Sequence, residues 1–112
     1  MRDIFNARQL LDHLVSFPTV SSDTNLPLIY FVRDYFADHG IGSVVIPNED
    51  GTKAGLVAQV GPNVAGGVAL SGHSDVVPVE GQDWITDPWT VVEKDDRLYG
   101  RGTSDMKGFV AL

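Results

Sequence analysis

The sequence VALSGHSD occupies residues 68–75, where an apolar run changes abruptly into polar residues. The run Val68–Leu70 predicts a short buried strand that ends just before His73. In an extended backbone, residues i and i+2 lie on the same face, so the side chains of His73 and Asp75 are expected to project together. A neutral imidazole is a good zinc ligand, and a carboxylate that accepts its second N–H fixes the orientation of the ring. The stretch therefore predicts a metal site at the end of a strand.

A second polar stretch, GRGTSDMKG at residues 100–108, surrounds Asp105 with glycines. A glycine-rich backbone can turn tightly and hold an aspartate in a geometry that a regular helix or strand does not allow. Taken alone, a histidine after a strand is more often structural, and an aspartate before a helix is more often a cap. The combination of the two stretches favours a metal site over these local roles.

Several strings of the chain together carry a resemblance to a known family. They are SDTNLPLI at residues 22–29, GHSDVVP at 72–78, GQDW at 81–84, LYGRGTSDMKG at 98–108 and TSDMKGF at 103–109. These strings, in this order and at this spacing, resemble the co-catalytic zinc amidohydrolases and exopeptidases of the M20 family. The resemblance extends over essentially the whole chain. A lone His-x-Asp triplet is common by chance, but its combination with a glycine-framed Asp-Met-Lys-Gly is specific.

The resemblance implies an active site with two zinc ions, which cobalt can replace. His73 matches the ligand of one zinc, and Asp105 matches the ligand that bridges both metals. Asp75 matches the catalytic carboxylate that orients His73. The physical chemistry agrees, because the two oxygens of one carboxylate can hold two cations about 3.5 to 4 Å apart. The implied reaction is the attack of an activated water molecule on an amide carbonyl, with a glutamate as general base.

The resemblance also implies that residues 1–112 are the N-terminal part of the catalytic, metal-binding domain of a longer enzyme. The family's general-base glutamate, its further metal ligands and its smaller lid and dimerisation domain have no counterpart in this sequence. The chain ends in the apolar run Phe109–Leu112, without a cap or a polar turn. We therefore expect a homodimer for the full-length enzyme and no activity for these residues alone.

The substrate implied by the resemblance is a small N-acyl amino acid, N2-acetylornithine, which is hydrolysed to ornithine and acetate in arginine biosynthesis. Two alternatives stay open. The first, within the same family, is removal of the succinyl group from succinyl-diaminopimelate or a related carboxypeptidase reaction. The second is of another class: a truncated domain that is not catalytic. A Glu-Glu pair encoded beyond residue 112 would favour the enzyme over the truncated domain.

Composition excludes several other classes of function. The net charge of −7 and the pI near 4.6 argue against nucleic acid or an anionic membrane surface as a partner. Without cysteine, histidine and carboxylates are the only side chains that can serve as zinc ligands, and such sites are more often catalytic than structural. The sequence has no signal-peptide pattern and no apolar stretch near the ~20 residues of a membrane span, so a cytoplasmic protein is expected.

The order of the predicted elements indicates an α/β fold in which helices cover a sheet. One helix is expected to begin at a capping box formed by Asn6 and Gln9 and to stop before Pro18, and a second to end at Gly40. Strands are predicted at residues 43–46, 55–60, 67–70, 89–93 and 97–99, with a last helix opening near Met106.

Two local questions stay open in the sequence. The polar stretch at residues 19–25 can cap the second helix or line the mouth of a cleft, and residue types that favour helix starts make the cap the preferred interpretation. Arg101 and Lys107 flank Asp105 and can either bind a substrate carboxylate or balance the local negative charge. Trp84 and Trp89 are expected to cover the edge of a core rather than to bind substrate.

Overall fold

The structure is a computed structural model that describes residues 3–112. The described chain contains two helices, then four strands, then a third helix, and the predicted α/β fold class is confirmed. The elements are α1 (Ala7–Ser16), α2 (Leu26–Asp38), β1 (Ser43–Pro47), β2 (Ala54–Ala58), β3 (Val92–Lys94), β4 (Arg97–Tyr99) and α3 (Lys107–Ala111). Among the described residues, no helix combines the length and the hydropathy needed to cross a bilayer.

The first two helices begin and end where local sequence signals place them. At the start of α1, the side chain of Asn6 accepts a hydrogen bond from the backbone N–H of Gln9 at 2.9 Å, and the Gln9 side chain accepts one from Asn6 N–H at 2.9 Å. After α2, Gly40 has a φ of 75°, and Ile41 N–H donates to the carbonyl of Phe36 at 2.9 Å. The capping box and the glycine C-cap are both confirmed.

The strands form two separate antiparallel hairpins. In the first, β1 pairs with β2 in a register that places Val44 opposite Val57, and α2 packs against this hairpin. In the second, β3 and β4 are joined by Asp95 and Asp96, whose φ values of 52° and 58° make the two-residue turn that suits a twisted hairpin.

The strand predicted over residues 67–70 is wrong. The backbone is irregular there, and the side chains of Val68 and Leu70 are 89% and 83% exposed. An apolar run becomes a strand only when a neighbouring strand pairs with its backbone and a packed surface covers its side chains. Within the described residues, β2 pairs with β1, and no other strand lies beside this run. Two smaller differences are that β2 ends at Ala58 and that β3 begins at Val92.

One core connects the helices to the first hairpin. Its buried members come from α1, α2, β2, α3 and the segment before β3: Leu11, Leu14, Val15, Leu28, Ile29, Ala54, Val91 and Ala111. The helices α1 and α3 pack directly against each other. Because α3 follows Asp105 immediately, this packing fixes the position of the loop that carries Asp105.

Candidate metal centre

The structure brings together the three side chains that the sequence singled out. Nε2 of His73 lies 3.0 Å from Oδ1 of Asp105, although the two residues are 32 positions apart in the chain. Nδ1 of His73 lies 3.1 Å from Oδ1 of Asp75 and 3.0 Å from the backbone carbonyl oxygen of Asp75. Each nitrogen of the imidazole therefore faces a different aspartate. The roles of His73 and Asp105 as ligands, and of Asp75 as the orienting carboxylate, stay predictions.

The two donor atoms that face each other fit a zinc ion. Two ligands of a tetrahedral zinc, each about 2.0 to 2.1 Å from the metal, lie about 3.3 Å apart. The observed separation of 3.0 Å between Nε2 of His73 and Oδ1 of Asp105 is close to that value. Among residues 3–112, no group of three or more histidine or carboxylate side chains is arranged to hold a metal ion. The described part of the chain thus supplies two candidate ligands, and a complete zinc site needs further donors.

The carbonyl and carboxylate groups around His73 favour a positive charge on its imidazole ring or a cation next to it. The backbone carbonyl of Asp75, together with the carboxylates of Asp105 and Asp75, raises the pKa of His73 above its usual value. The hydroxyl of Ser21, and then the charge of His73, lower the pKa of Asp75 below its usual value. Asp75 is therefore an anion at neutral pH. Its charge favours the hydrogen bond from Nδ1 that leaves Nε2 directed at Asp105.

The segment that carries His73 and Asp75 is held by the polar stretch after α1. A parallel bridge joins Val20 to Val76, with Val76 N–H donating to the carbonyl of Thr19 at 2.9 Å. The buried Thr19 also donates its hydroxyl to the carbonyl of Ser74 at 2.6 Å. Ser21 completes the contact, since its hydroxyl donates to Oδ2 of Asp75.

The preferred interpretation of residues 19–25 as a cap of α2 holds in part, because Thr24 Oγ1 accepts a hydrogen bond from Leu26 N–H at 3.2 Å. Asn25 occupies the N-cap position but makes no side-chain cap hydrogen bond. Its amide instead pairs with Ala54 at the start of β2, 2.8 Å from the carbonyl oxygen and 3.0 Å from the backbone nitrogen. The cleft-lining alternative describes Ser21 correctly. Nothing in the local sequence pattern distinguishes a helix cap from a segment that lines a cleft, because the partner of Ser21 lies 54 residues away.

Asp105 lies in a succession of tight turns over residues 101–106. The peptide bond between Asp105 and Met106 is cis. The sulfur of Met106 accepts a hydrogen bond from the backbone N–H of His73 at 3.2 Å, and Lys107 N–H donates to the carbonyl of Gly102 at 2.8 Å. These two hydrogen bonds join the loop to the start of α3 and to the segment that carries His73.

The two basic residues that flank Asp105 have different environments. Lys107 is buried, its ammonium donates to the carbonyl of Phe17 at 2.7 Å, and burial lowers its pKa to about 8. Neither role suggested for Lys107 by the sequence fits this position; it links α3 to the C-terminal end of α1. The guanidinium of Arg101 donates to the side chain of Gln82 and lies 5.1 Å from the ring centroid of the half-buried Trp84.

These side chains surround an open cleft of about 230 Å³. It is lined by Ser21, His73, Asp75, Val76, Val77 and the loop residues 100–105. The side chain of Asp105 is 87% exposed and that of His73 is 48% exposed. Both candidate ligands are accessible to a metal ion and to further donors.

Comparison with known proteins shows which family this chain is similar to. Residues 69–112, which include all three candidate site residues, match the family model described as peptidase family M20/M25/M40. The chain is also 41% identical to acetylornithine deacetylase from Shigella sonnei (strain Ss046), over 88% of this chain. The M20 resemblance is confirmed. The chain spans 27% of the length of that relative.

The fold agrees with the M20 resemblance. The chain superposes on the crystal structure of human carnosine dipeptidase 1 with a TM-score of 0.79 and 26% sequence identity. The superposition covers 94% of this chain and 26% of that chain. Nearly all of the chain therefore has its counterpart in about a quarter of that structure.

Proposed function

We propose that residues 1–112 are the N-terminal part of the catalytic domain of a zinc-dependent deacetylase that hydrolyses N2-acetylornithine to ornithine and acetate. The observation that carries the proposal is the meeting of His73 Nε2 with Asp105 Oδ1 at 3.0 Å, while Asp75 contacts the other nitrogen. The identity of 41% to an acetylornithine deacetylase supports this substrate in particular.

The residues of this chain would hold and orient the metal. The backbone carbonyl of Asp75 accepts Nδ1–H of His73 at 3.0 Å, and the Asp75 carboxylate lies 3.1 Å from the same nitrogen, so that the lone pair of Nε2 would be directed into the cleft. Asp105 offers two oxygens from an exposed carboxylate, which suits a ligand shared by two zinc ions. When bound, zinc polarises the amide carbonyl and lowers the pKa of a water molecule to about 7. The general base and the remaining ligands would come from sequence outside these 112 residues.

The test is release of acetate from N2-acetylornithine by the purified full-length enzyme, after removal of metal with a chelator and again after addition of zinc or cobalt. We expect activity that depends on the metal. Succinyl-diaminopimelate is the comparison substrate, and faster turnover of it would contradict the proposed substrate while leaving the metal chemistry intact.

The 112-residue chain supplies a second arm of the same experiment. We expect no hydrolysis above the background of the metal ion alone, because the general base and at least three ligands are missing. Turnover by these residues with added zinc would contradict the proposal that the catalytic machinery lies partly elsewhere. The homodimer stays a prediction of the resemblance, and the cytoplasmic location stays a prediction from the sequence.

A further inference from the structure

Ser21 makes a contact with the candidate metal centre that neither the motifs nor the comparisons assign. Its hydroxyl donates to Oδ2 of Asp75, while Oδ1 of the same carboxylate lies 3.1 Å from Nδ1 of His73. The two oxygens of Asp75 thus have two different partners. A continuous chain of contacts runs from Ser21 through Asp75 to His73, whose Nε2 is a candidate ligand atom.

The backbone holds Ser21 in place for this contact. Its N–H donates to the carbonyl of Val76 at 3.1 Å, next to the hydrogen bond from Val76 N–H to the carbonyl of Thr19 at 2.9 Å. The ammonium of Lys53 donates to the carbonyl of Ser21 from the side of β2. Two segments distant in sequence, those of Val76 and Lys53, therefore hold the backbone at Ser21. These backbone hydrogen bonds place its hydroxyl within reach of Asp75.

The Asp75 carboxylate needs such a partner. Its side chain is 50% exposed, and the terminal torsion of an aspartate is broad, so the carboxylate plane is poorly fixed by its own rotamer. A hydrogen bond to one oxygen sets that plane and leaves the other oxygen facing His73. We propose that Ser21 is a positioning residue of the metal centre: its hydroxyl fixes the Asp75 carboxylate, which in turn fixes the imidazole of His73. This inference rests on the proposed role of His73 as a zinc ligand.

The test compares Ser21→Ala, Ser21→Thr and the control Ser22→Ala in the full-length enzyme. Zinc affinity is measured by competition with a chelator, and kcat and KM are measured for N2-acetylornithine. We expect Ser21→Ala to weaken zinc binding by about 3- to 10-fold, below the 10- to 100-fold typical of losing a direct partner of a ligand. We expect Ser21→Ala to lower kcat and to leave KM nearly unchanged, since Ser21 acts through the metal ligand.

The two companion variants separate positioning from packing. Ser21 is exposed, which leaves room for the methyl group of threonine, so Ser21→Thr should restore zinc affinity to within about 2-fold of the wild type. Ser22 is also exposed, and its hydroxyl lies 3.5 Å from Asp23 and outside the cleft lining. Ser22→Ala should therefore bind zinc like the wild type. Ser21→Thr keeps the hydroxyl and so keeps the test informative if Ser21→Ala folds poorly.

A double-mutant cycle with Asp75→Ala tests whether Ser21 acts on zinc binding through Asp75, because coupled residues give non-additive effects. If Ser21 acts through Asp75, Ser21→Ala should cost no further zinc affinity once Asp75 is gone. An equal loss in both backgrounds, unchanged zinc affinity in Ser21→Ala, or failure of Ser21→Thr to restore binding would overturn the inference. Zinc binding is measured without substrate, so a wild-type enzyme that ignores N2-acetylornithine would contradict the proposed function and leave this test intact.

Discussion

Gly108 constrains the position of Asp105 although the two residues do not touch. A Cβ atom at Gly108 would lie 2.2 Å from the carbonyl oxygen of Thr103, a distance that requires the backbone to shift. Thr103 belongs to the loop of turns that precedes α3, and the same loop carries Asp105. The absence of a side chain at Gly108 therefore allows this loop to fold back on the start of α3.

Replacement of Gly108 by alanine should displace the loop and disturb the zinc site. We expect Gly108→Ala to destabilise the protein by about 1 to 3 kcal/mol, as overpacking usually does, and to weaken zinc binding. The matched control is Gly42→Ala, where a Cβ would meet no atom within 4 Å. This variant should change stability by less than about 0.5 kcal/mol. Thermal melts and chelator competition measure both effects. Equal behaviour of the two variants would contradict the close approach of Thr103.

The site illustrates which contacts a sequence reveals. The proximity of His73 and Asp75 follows from their spacing of two residues, and their closeness to Asp105 was implied by the M20 resemblance. The contact of Ser21 with Asp75 depends instead on a bridge between Val20 and Val76, which only the folded chain creates. No local preference of a serine in a polar stretch indicates a partner that is 54 residues away.

Two asparagines that both precede helices have different functions in the fold. Asn6 caps α1 through the backbone N–H of Gln9. Asn25 precedes α2 but joins it to β2, because its amide pairs with both backbone groups of the buried Ala54. The first contact satisfies an exposed helix end, whereas the second satisfies groups that are shielded from water. We therefore expect the replacement of Asn6 and the replacement of Asn25 by alanine to lower the free energy of unfolding by different amounts.

We predict that Asn25→Ala destabilises the protein more than Asn6→Ala. Loss of a helix cap typically costs about 1 kcal/mol. Loss of Asn25 leaves the N–H and the C=O of Ala54 without their partner, at about 1 to 3 kcal/mol for each buried group. Asn63→Ala, in the exposed irregular segment after β2, is the control and should be nearly neutral. Thermal or urea denaturation gives the order, and a larger loss in Asn6→Ala would refute this account of Asn25.

The elements differ in how far the sequence predicts them. The capping box, Pro18 and Gly40 are local signals, and they place α1 and α2 within one or two residues of their observed bounds. The strands predicted at residues 89–93 and 97–99 lie on either side of the observed turn at Asp95 and Asp96. The expected strand at residues 67–70 was wrong, since a strand depends on a pairing partner that hydropathy does not reveal.

Many large apolar side chains of residues 3–112 are exposed. Val44, Ile46 and Val57 lie 63%, 52% and 57% exposed on the outer face of the first hairpin. Further apolar side chains are exposed in the irregular segment and near α3, namely Val60, Val64, Val68, Leu70, Phe109 and Leu112. Val44 and Val57 are cross-strand neighbours, and exposed apolar clusters mark surfaces that another part of a protein or a second molecule covers.

We therefore predict that the isolated 112-residue chain self-associates and is only marginally stable. Size-exclusion chromatography over a range of concentrations should show species larger than a monomer, and thermal melts should be broad. Replacement of Val44 and Val57 together by threonine should reduce the association, because it removes apolar surface from one face of β1 and β2. A soluble monomer with a sharp melting transition would contradict this prediction.

The central claim is that His73 and Asp105 bind zinc while Asp75 orients His73. Elemental analysis of the full-length enzyme and of its Asp105→Ala and Asp75→Ala variants tests it most directly. Asp105→Ala should lose zinc because it removes a candidate ligand of both metals. Asp75→Ala should keep the direct ligands and lose about 10- to 100-fold in zinc affinity or activity. If Asp75→Ala lost all zinc while Asp105→Ala kept two zinc ions per chain, the assigned roles would be wrong.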